Sequence, residues 1–362
     1  MKALAAVLQQ FSAPLAMVEF DVPALQEGQV LVEVLAAGIC GSDVHMWRGK
    51  DPRTPLPIIL GHEGVGRVVD LGGLRRDVFG QRVSIGDTIS WERGVSCGHC
   101  YQCAVLHQPA LCSERWAYGI HRPSVTPPFL NGCYATHVIL DRRSDLIPLE
   151  KAEDPALMVV ASCSGATAAH AFDLAPVQAG ETVVVLGPGP VGLFSVALAR
   201  LAGAEHVVLI GGTAGRLELA REIGATSLLD RHDTTSDQRR AAVLDITHGR
   251  GADLVVEASG AVSAATEGLD LVRAGGTLAL VGFGTPVGSL SLAPFEQIVR
   301  RNVNIQGVWV SDLRHTLRAI SAIRQNPQGM AGLVSHRIPL YQATEALQAV
   351  ERRETLKAVL LP

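Results

Sequence analysis

Several things are scarce in this 362-residue chain: aromatic residues (4%), charged residues (18%), and any strong excess of one sign, the formal net charge being -4. Few aromatics leave few platforms on which unpaired bases could stack. A slightly acidic balance gives no attraction for phosphates or anionic lipid, so neither nucleic acid nor membrane is expected as a partner. Long apolar runs are missing as well. Even the stretch from Gly192 to Ala204 is interrupted by Arg200, short of the roughly 18 residues that a spanning helix needs. The opening MKALAAVLQQ has one lysine and an apolar stretch too short for a secretory signal core. A cytoplasmic protein is the expectation.

What is present is apolar content, 48% of residues. That is enough for substantial cores, and the length favours two domains. There are seven cysteines. An odd count, with four crowded between Cys97 and Cys112, suits a disulfide framework poorly in a reducing compartment. Metal binding is the better first reading.

The first 150 or so residues read as short strands broken by glycine and proline, for example Val30 to Ala36, Gly66 to Asp70 and Ala135 to Leu140. After a helical stretch from Gly165 to Phe172 the texture changes. Strands at Thr182 to Leu186, Val207 to Ile210, Leu254 to Glu257 and Thr277 to Val281 alternate with helices, which predicts a doubly wound parallel α/β sheet. A strand at Val303 to Val310, helices near His315 to Arg324 and Gln342 to Glu351, and a strand at Ala358 to Leu361 complete the chain.

Gly187, Gly189 and Gly192 form G-x-G-x-x-G directly after a strand and at the start of a helix. Such glycines permit a tight turn and close backbone approach, and the helix N-terminus offers free N–H groups to a pyrophosphate. Gly187, Gly189, Pro190, Val191 and Gly192 are therefore candidate coenzyme residues. At the end of the next strand an acidic residue normally holds the ribose hydroxyls, but here the chain reads Gly211-Gly212-Thr213. Gly211, Thr213 and Arg216 are the candidate ribose-side residues. Arg216 is the only cation on that loop, so the sequence displays no clamp for an NADP 2′-phosphate. NAD is the expected coenzyme, with NADP left open.

Cys97, Cys100, Cys103 and Cys112 place four soft thiolates in one short, polar loop. Closed tetrahedral thiolate sets are what structural zinc prefers, and metal would supply folding energy to a loop without its own core. A second set is dispersed, in segments around Cys40, around His62-Glu63 and around Cys163. An open zinc site uses three protein ligands and leaves a fourth position for water or substrate. Taken singly each residue is ambiguous, and a buried cysteine such as Cys163 is often mere core.

Together, GICGSDVH from Gly38, GHEGVG from Gly61, the four-cysteine lobe and VLGPGPVG from Val185 resemble the zinc-dependent medium-chain alcohol and polyol dehydrogenase family, over essentially the whole chain. The branch it resembles most includes sorbitol and threonine dehydrogenase-like and phosphonate-associated enzymes. The resemblance implies a β-rich, GroES-like catalytic domain over residues 1–164 and 304–362, with a zinc lobe at about 91–116, and a Rossmann domain over 165–303.

It further implies Cys40, His62 and Cys163 as catalytic zinc ligands, with Glu63 able to exchange into the shell. Asp43 would orient the ligand histidine. Ser42 would accept the substrate hydroxyl proton, and His45 would stand at the far end of that relay, through the coenzyme ribose. Lys357 would sit where the family often has an arginine reaching the pyrophosphate. Two zinc ions per chain follow, as does assembly into a homodimer or homotetramer. The reaction implied is oxidation of an alcohol, expected to be secondary, to a ketone or aldehyde, with hydride transfer to the nicotinamide. If two or more of Trp47, Trp91, Trp116 and Trp309 line the pocket, a bulky cyclic or terpenoid alcohol is expected in place of a polyol.

Two departures from the family pattern stand out besides Gly211. Eight residues separate Cys103 from Cys112, one more than the family's common spacing, so a local bulge near Gln108-Pro109 is expected. Cys163 also occupies a position where many polyol enzymes use glutamate. The alternatives are a zinc-free quinone or enoyl reductase on the same fold, which needs no such ligand set, and a non-catalytic NAD-binding, crystallin-like protein, which would have lost a ligand or relay residue.

Overall fold

The computed structural model describes residues 1–362. The chain divides into two compact units. Met1–Cys163, Asp312–Leu317 and Leu333–Pro362 form the first, and Ser164–Ser311 with Arg318–Gly332 the second.

In the first unit, β1 (Val30–Gly38) is buried along most of its length and leads directly into the short helix α1 (Gly41–Trp47). β1 pairs antiparallel with β2 (Glu63–Leu71), and the register sets Gly38 opposite Glu63 and Ala37 opposite Gly64. That pairing brings the start of α1 beside the His62-Glu63 step. The glycines of β2 are there for space. A Cβ on Gly64 would stand 2.2 Å from the Trp91 ring, and one on Gly66 would stand 2.3 Å from the Glu33 carbonyl. β3 (Thr88–Trp91) pairs along the outer edge of β2. On the other side of β1 runs Ala358–Leu361, with Val359 opposite Gly38, so Lys357 also arrives at this corner. Trp47, Trp91, Tyr118 and Tyr134 are wholly buried in this unit's core. A ribbon of two short strands, Gly94–Val95 against Trp116–Ala117, closes the base of the cysteine lobe.

The second unit carries a six-stranded sheet whose pairs are all parallel: β4 (Thr182–Leu186), β5 (His206–Gly211), β6 (Ser227–Asp230), β7 (Ala252–Glu257), β8 (Val272–Leu280) and β9 (Asn304–Gly307). Their order across the sheet is β6-β5-β4-β7-β8-β9. Helices α2 (Pro190–Leu201), α3 (Ala214–Ile223), α4 (Ser236–Ile246) and α5 (Val262–Leu271) connect them. The chain leaves β4 for β5 on one side and returns to β7 on the other. The carboxyl end of β4 is therefore the switch point at which such sheets bind ligands. Val184, Leu186, Val208, Ile210, Val255 and Leu278 fill this core, as their β-branched and aliphatic character requires.

The unit boundary differs from the sequence expectation, which gave all of 304–362 to the catalytic domain. β9 extends the parallel sheet, and Ala319 packs so tightly on Gly165 that a Cβ there would lie 2.7 Å away. Residues 304–311 and 318–332 accordingly belong with the dinucleotide unit. The strand expected to reach Val310 stops at Gly307, and Val310 adopts a φ of 51°, a conformation that β-branched residues avoid. Its carbonyl accepts a hydrogen bond from His170 Nδ1. No single helix is long and apolar enough to cross a membrane.

Candidate active site

Cys40, at the end of β1, is the N-cap residue of α1. Asp43, fully buried one turn on, accepts a hydrogen bond from the Cys40 N–H with Oδ2 (2.8 Å) and one from His62 Nδ1 with Oδ1 (3.2 Å). One carboxylate thus fixes both the helix start and the imidazole. With Nδ1 committed to Asp43, Nε2 is the nitrogen left for a metal. Cys163 follows the turn Val159–Ser162, and its Sγ lies 3.9 Å from Cys40 Sγ. One potential ligand atom each from Cys40, His62, Glu63 and Cys163 falls within 4.8 Å of all the others.

Glu63 is held from the far side. Its Oε1 accepts the buried Lys357 Nζ at 2.6 Å, while Oε2 is buried without any hydrogen-bond partner. An orphaned carboxylate oxygen next to two sulfurs and an imidazole is a donor set that fits a zinc ion. Lys357, expected at the coenzyme pyrophosphate, thus stands inside this cluster with its ammonium on Glu63.

The electrostatics follow the same geometry. The Cys163 thiol hydrogen-bonds to Cys40, which lowers Cys40 well below the ordinary thiol range and raises Cys163 well above it, so Cys40 carries the thiolate of the pair. Burial alone would lower His62, but the Asp43 carboxylate and Cys40 outweigh it and hold the imidazole up, at about 10. Burial pushes the Glu63 carboxyl up against the pull of Lys357. Metal uptake here must therefore displace protons.

Sequence reasoning missed Arg93. It is buried, and its Nη1 donates to Cys163 Sγ at 2.5 Å. Its neighbour Glu92 ties Arg115 Nη2 (3.3 Å) and the Thr316 hydroxyl (2.9 Å). The only sequence signal was the Glu92-Arg93 pair shortly before Cys97, which by itself reads as surface charge. Ser42 and His45 lie one turn apart on α1, both partly exposed, a spacing that puts them on one helix face. Trp47 and Trp91 are core, Trp116 lies under the Arg122 guanidinium, and Trp309 is exposed in the second unit.

In the lobe, one sulfur each from Cys97, Cys100, Cys103 and Cys112 lies within 4.8 Å of the other three, and Cys97 and Cys112 are 3.5 Å apart. A backbone N–H bond at Cys103 draws the Cys100 thiol down to about 6, whereas burial pushes Cys103 up to about 12. Four convergent thiols with one already acidic fit a closed zinc site. Between Cys103 and Cys112, His107 adopts a φ of 52° and a tight turn runs over Pro109–Leu111.

At the switch point, Gly187 adopts a φ of 109° and Gly189 caps α2, with Pro190 as its first residue. A Cβ on Gly192 would come 1.9 Å from the Gly187 carbonyl, so helix and turn can approach only because that side chain is absent. The N–H groups of Val191 and Gly192 open the helix toward the loop, as a pyrophosphate site requires. Thr213 caps α3, and Arg216 N–H bonds to its carbonyl (2.9 Å). The loop residues Gly187 and Pro188, with Gly211 and Ser259, line a cavity of about 490 Å3. It fits a dinucleotide's adenosine end.

Comparison with known proteins agrees with this geometry. Residues 26–151 match the alcohol dehydrogenase GroES-like domain family and residues 190–325 the zinc-binding dehydrogenase family. A 5-exo-hydroxycamphor dehydrogenase of Pseudomonas putida is 33% identical over 92% of this chain and 91% of that protein. An alcohol dehydrogenase structure from Thermotoga maritima is 47% identical, covers 100% of both chains and superposes with a TM-score of 0.98. A zinc-binding dehydrogenase structure from Sinorhizobium meliloti, bound to NADP, is 29% identical over 100% of both chains, with a TM-score of 0.88. Shared sequence along nearly the whole length, the GroES-like and Rossmann units and the two cysteine-rich constellations agree: this chain belongs to the zinc-dependent medium-chain alcohol dehydrogenase family.

Proposed function

We propose that this dehydrogenase oxidises a secondary alcohol, with a cyclic one as the favoured class, and that Cys40, His62 and Cys163 hold its catalytic zinc, with Glu63 able to exchange into the shell. The single observation that carries the reading is the convergence of those four side chains beside the helix bearing Ser42, Asp43 and His45. The relative named for hydroxycamphor supports a cyclic secondary substrate. Trp47 and Trp91 do not add to that, because both are core.

When bound, zinc supplies Lewis acidity that makes a substrate hydroxyl easier to deprotonate. The chain's own residues do the rest. Asp43 keeps the proton of His62 on Nδ1, so that Nε2 stays free to ligate. Ser42 Oγ takes the hydroxyl proton, and the His45 imidazole, one turn away, moves it outward. The glycine loop of Gly187, Gly189 and Gly192, with Pro190 and Val191, would hold the coenzyme's pyrophosphate, and the coenzyme would supply the nicotinamide as hydride acceptor. Assembly as a homodimer across the open edge of β9 belongs to the same proposal, because that strand ends the sheet.

The test is a screen of alcohol oxidation with NAD and NADP supplied separately. A cyclic secondary alcohol should turn over with the higher kcat/KM. Preference for sorbitol would overturn the cyclic reading, and loss of neither activity nor zinc in C163A would overturn the ligand assignment.

A further inference from the structure

The strand end that normally carries a ribose-binding acid is bare in this chain, and the structure shows why. A Cβ on Gly211 would stand 2.7 Å from Pro188 Cγ and 3.2 Å from a Leu217 methyl, so an aspartate there would collide with the glycine loop. At Gly212 a Cβ would lie 2.5 Å from His232 Nε2 and 2.6 Å from Arg231 Nε. The space beside the strand end is thus taken by two basic side chains from another segment.

They arrive through the sheet. β6 runs beside β5 with Asp230 opposite Gly211, and the Arg231 N–H donates to the Gly211 carbonyl at 2.7 Å. Arg231 lines the same cavity as Gly187, Pro188 and Gly211. No carboxylate pairs with its guanidinium. The contrast with Arg239, also in that cavity, is sharp: Arg239 is bound by both Glu267 oxygens at 2.6 and 2.8 Å. Asp230, the nearest acid by register, turns its Oδ1 onto the His232 N–H (2.8 Å). Asp270 also lines the cavity. The strand end therefore presents an unpaired guanidinium and an imidazole, with no carboxylate at Gly211 to repel an anion.

In this class of fold the end of the second strand meets the adenosine ribose, where an acid selects the 2′-hydroxyl and an arginine accommodates a 2′-phosphate. We propose that Arg231, assisted by His232, binds the 2′-phosphate of NADP, making this dehydrogenase NADP-preferring. The proposal rests on the dehydrogenase reading above. It replaces the expectation of NAD drawn from Arg216 alone, because Arg231 lies fifteen residues beyond Arg216 in sequence and is brought in only by strand pairing.

The test is a fluorescence titration of the full-length protein with NADPH and with NADH, using 2′,5′-ADP and 5′-AMP as displacing probes. A charge-assisted contact to the phosphate should make NADPH bind at least about tenfold more tightly than NADH. The kcat/KM ratio for NADP over NAD should lean the same way, and 2′,5′-ADP should displace more effectively than 5′-AMP. R231A should bring the NADPH-to-NADH ratio to within about threefold of one, and R231E below one, with far-UV circular dichroism unchanged. NADH binding as tightly as NADPH, or a ratio unmoved in R231A, would overturn the proposal and leave the dehydrogenase reading intact. Binding of neither coenzyme would overturn both.

Discussion

Exchanging Asp43 for asparagine keeps the shape of a fully buried side chain and removes one charge from the centre of the candidate metal site. Asp43 accepts two hydrogen bonds, from the Cys40 N–H at 2.8 Å and from His62 Nδ1 at 3.2 Å. Asparagine has one acceptor oxygen and one amide that only donates, so it cannot satisfy both. If the amide faces His62, the imidazole must accept at Nδ1, and its proton moves to Nε2, the nitrogen needed for ligation. A hydrogen bond to a charged group is worth about 1.5–3 kcal/mol and a neutral one about 1 kcal/mol. Two such losses amount to about 1–4 kcal/mol, which brackets the roughly 10–100-fold effect usual for a residue that orients a metal ligand. The assay is chelator competition on the zinc-loaded protein, followed by the visible spectrum of the cobalt-substituted form. D43N should release one of its two ions about 10–100-fold more readily, hold the other as firmly as before, and lose kcat in proportion. Unchanged retention of both ions with unchanged kcat would refute the role given to Asp43.

Other perturbations read other contacts. Lys357 and Glu63 are buried partners 2.6 Å apart. K357M should therefore cost about 3–5 kcal/mol in denaturant unfolding, and K357M/E63Q should recover most of that loss; a single variant as stable as the parent would count against the pair. In the cysteine lobe, C103S should reduce the zinc content by one and open the 97–112 segment to limited proteolysis, and an intact, uncleaved lobe would show that metal does not hold it. Because burial pushes the Cys103 thiol up to about 12, zinc must displace its proton throughout the neutral range. Affinity of the lobe should then rise as pH rises, by about tenfold per unit for each proton displaced. Calorimetry in buffers of different ionisation enthalpy should detect proton release on zinc uptake, and its absence would contradict the thiol assignment.

The parts of the site legible in the sequence are those written in contiguous strings. GICGSDVH carries Cys40, Ser42, Asp43 and His45 on one strand end and helix, and their geometry is local. The cysteine lobe and the glycine loop are likewise self-contained. The contacts of Lys357 with Glu63 and of Arg93 with Cys163 were out of reach because long-range packing, not spacing, delivers them. Val359 pairs with Gly38, which sets Lys357 against Glu63 across 294 positions. Arg231 was hidden for the same reason, its place beside Gly212 depending on the β5–β6 pairing. The boundary near residue 304 was misjudged because a short strand of mixed polarity gives no sign of which sheet it will join, and only the pairing with β8 decides it.

The most direct test of two zinc sites in an alcohol dehydrogenase is a metal count per chain by mass spectrometry on the purified protein and two variants. Two zinc ions are expected in the parent. C163A should keep one ion and lose alcohol oxidation, while C112S should keep the other and lose thermal stability first. A parent chain holding a single zinc, or a C163A variant that oxidises alcohols as fast as the parent, would contradict the assignment of Cys40, His62 and Cys163 to a catalytic metal.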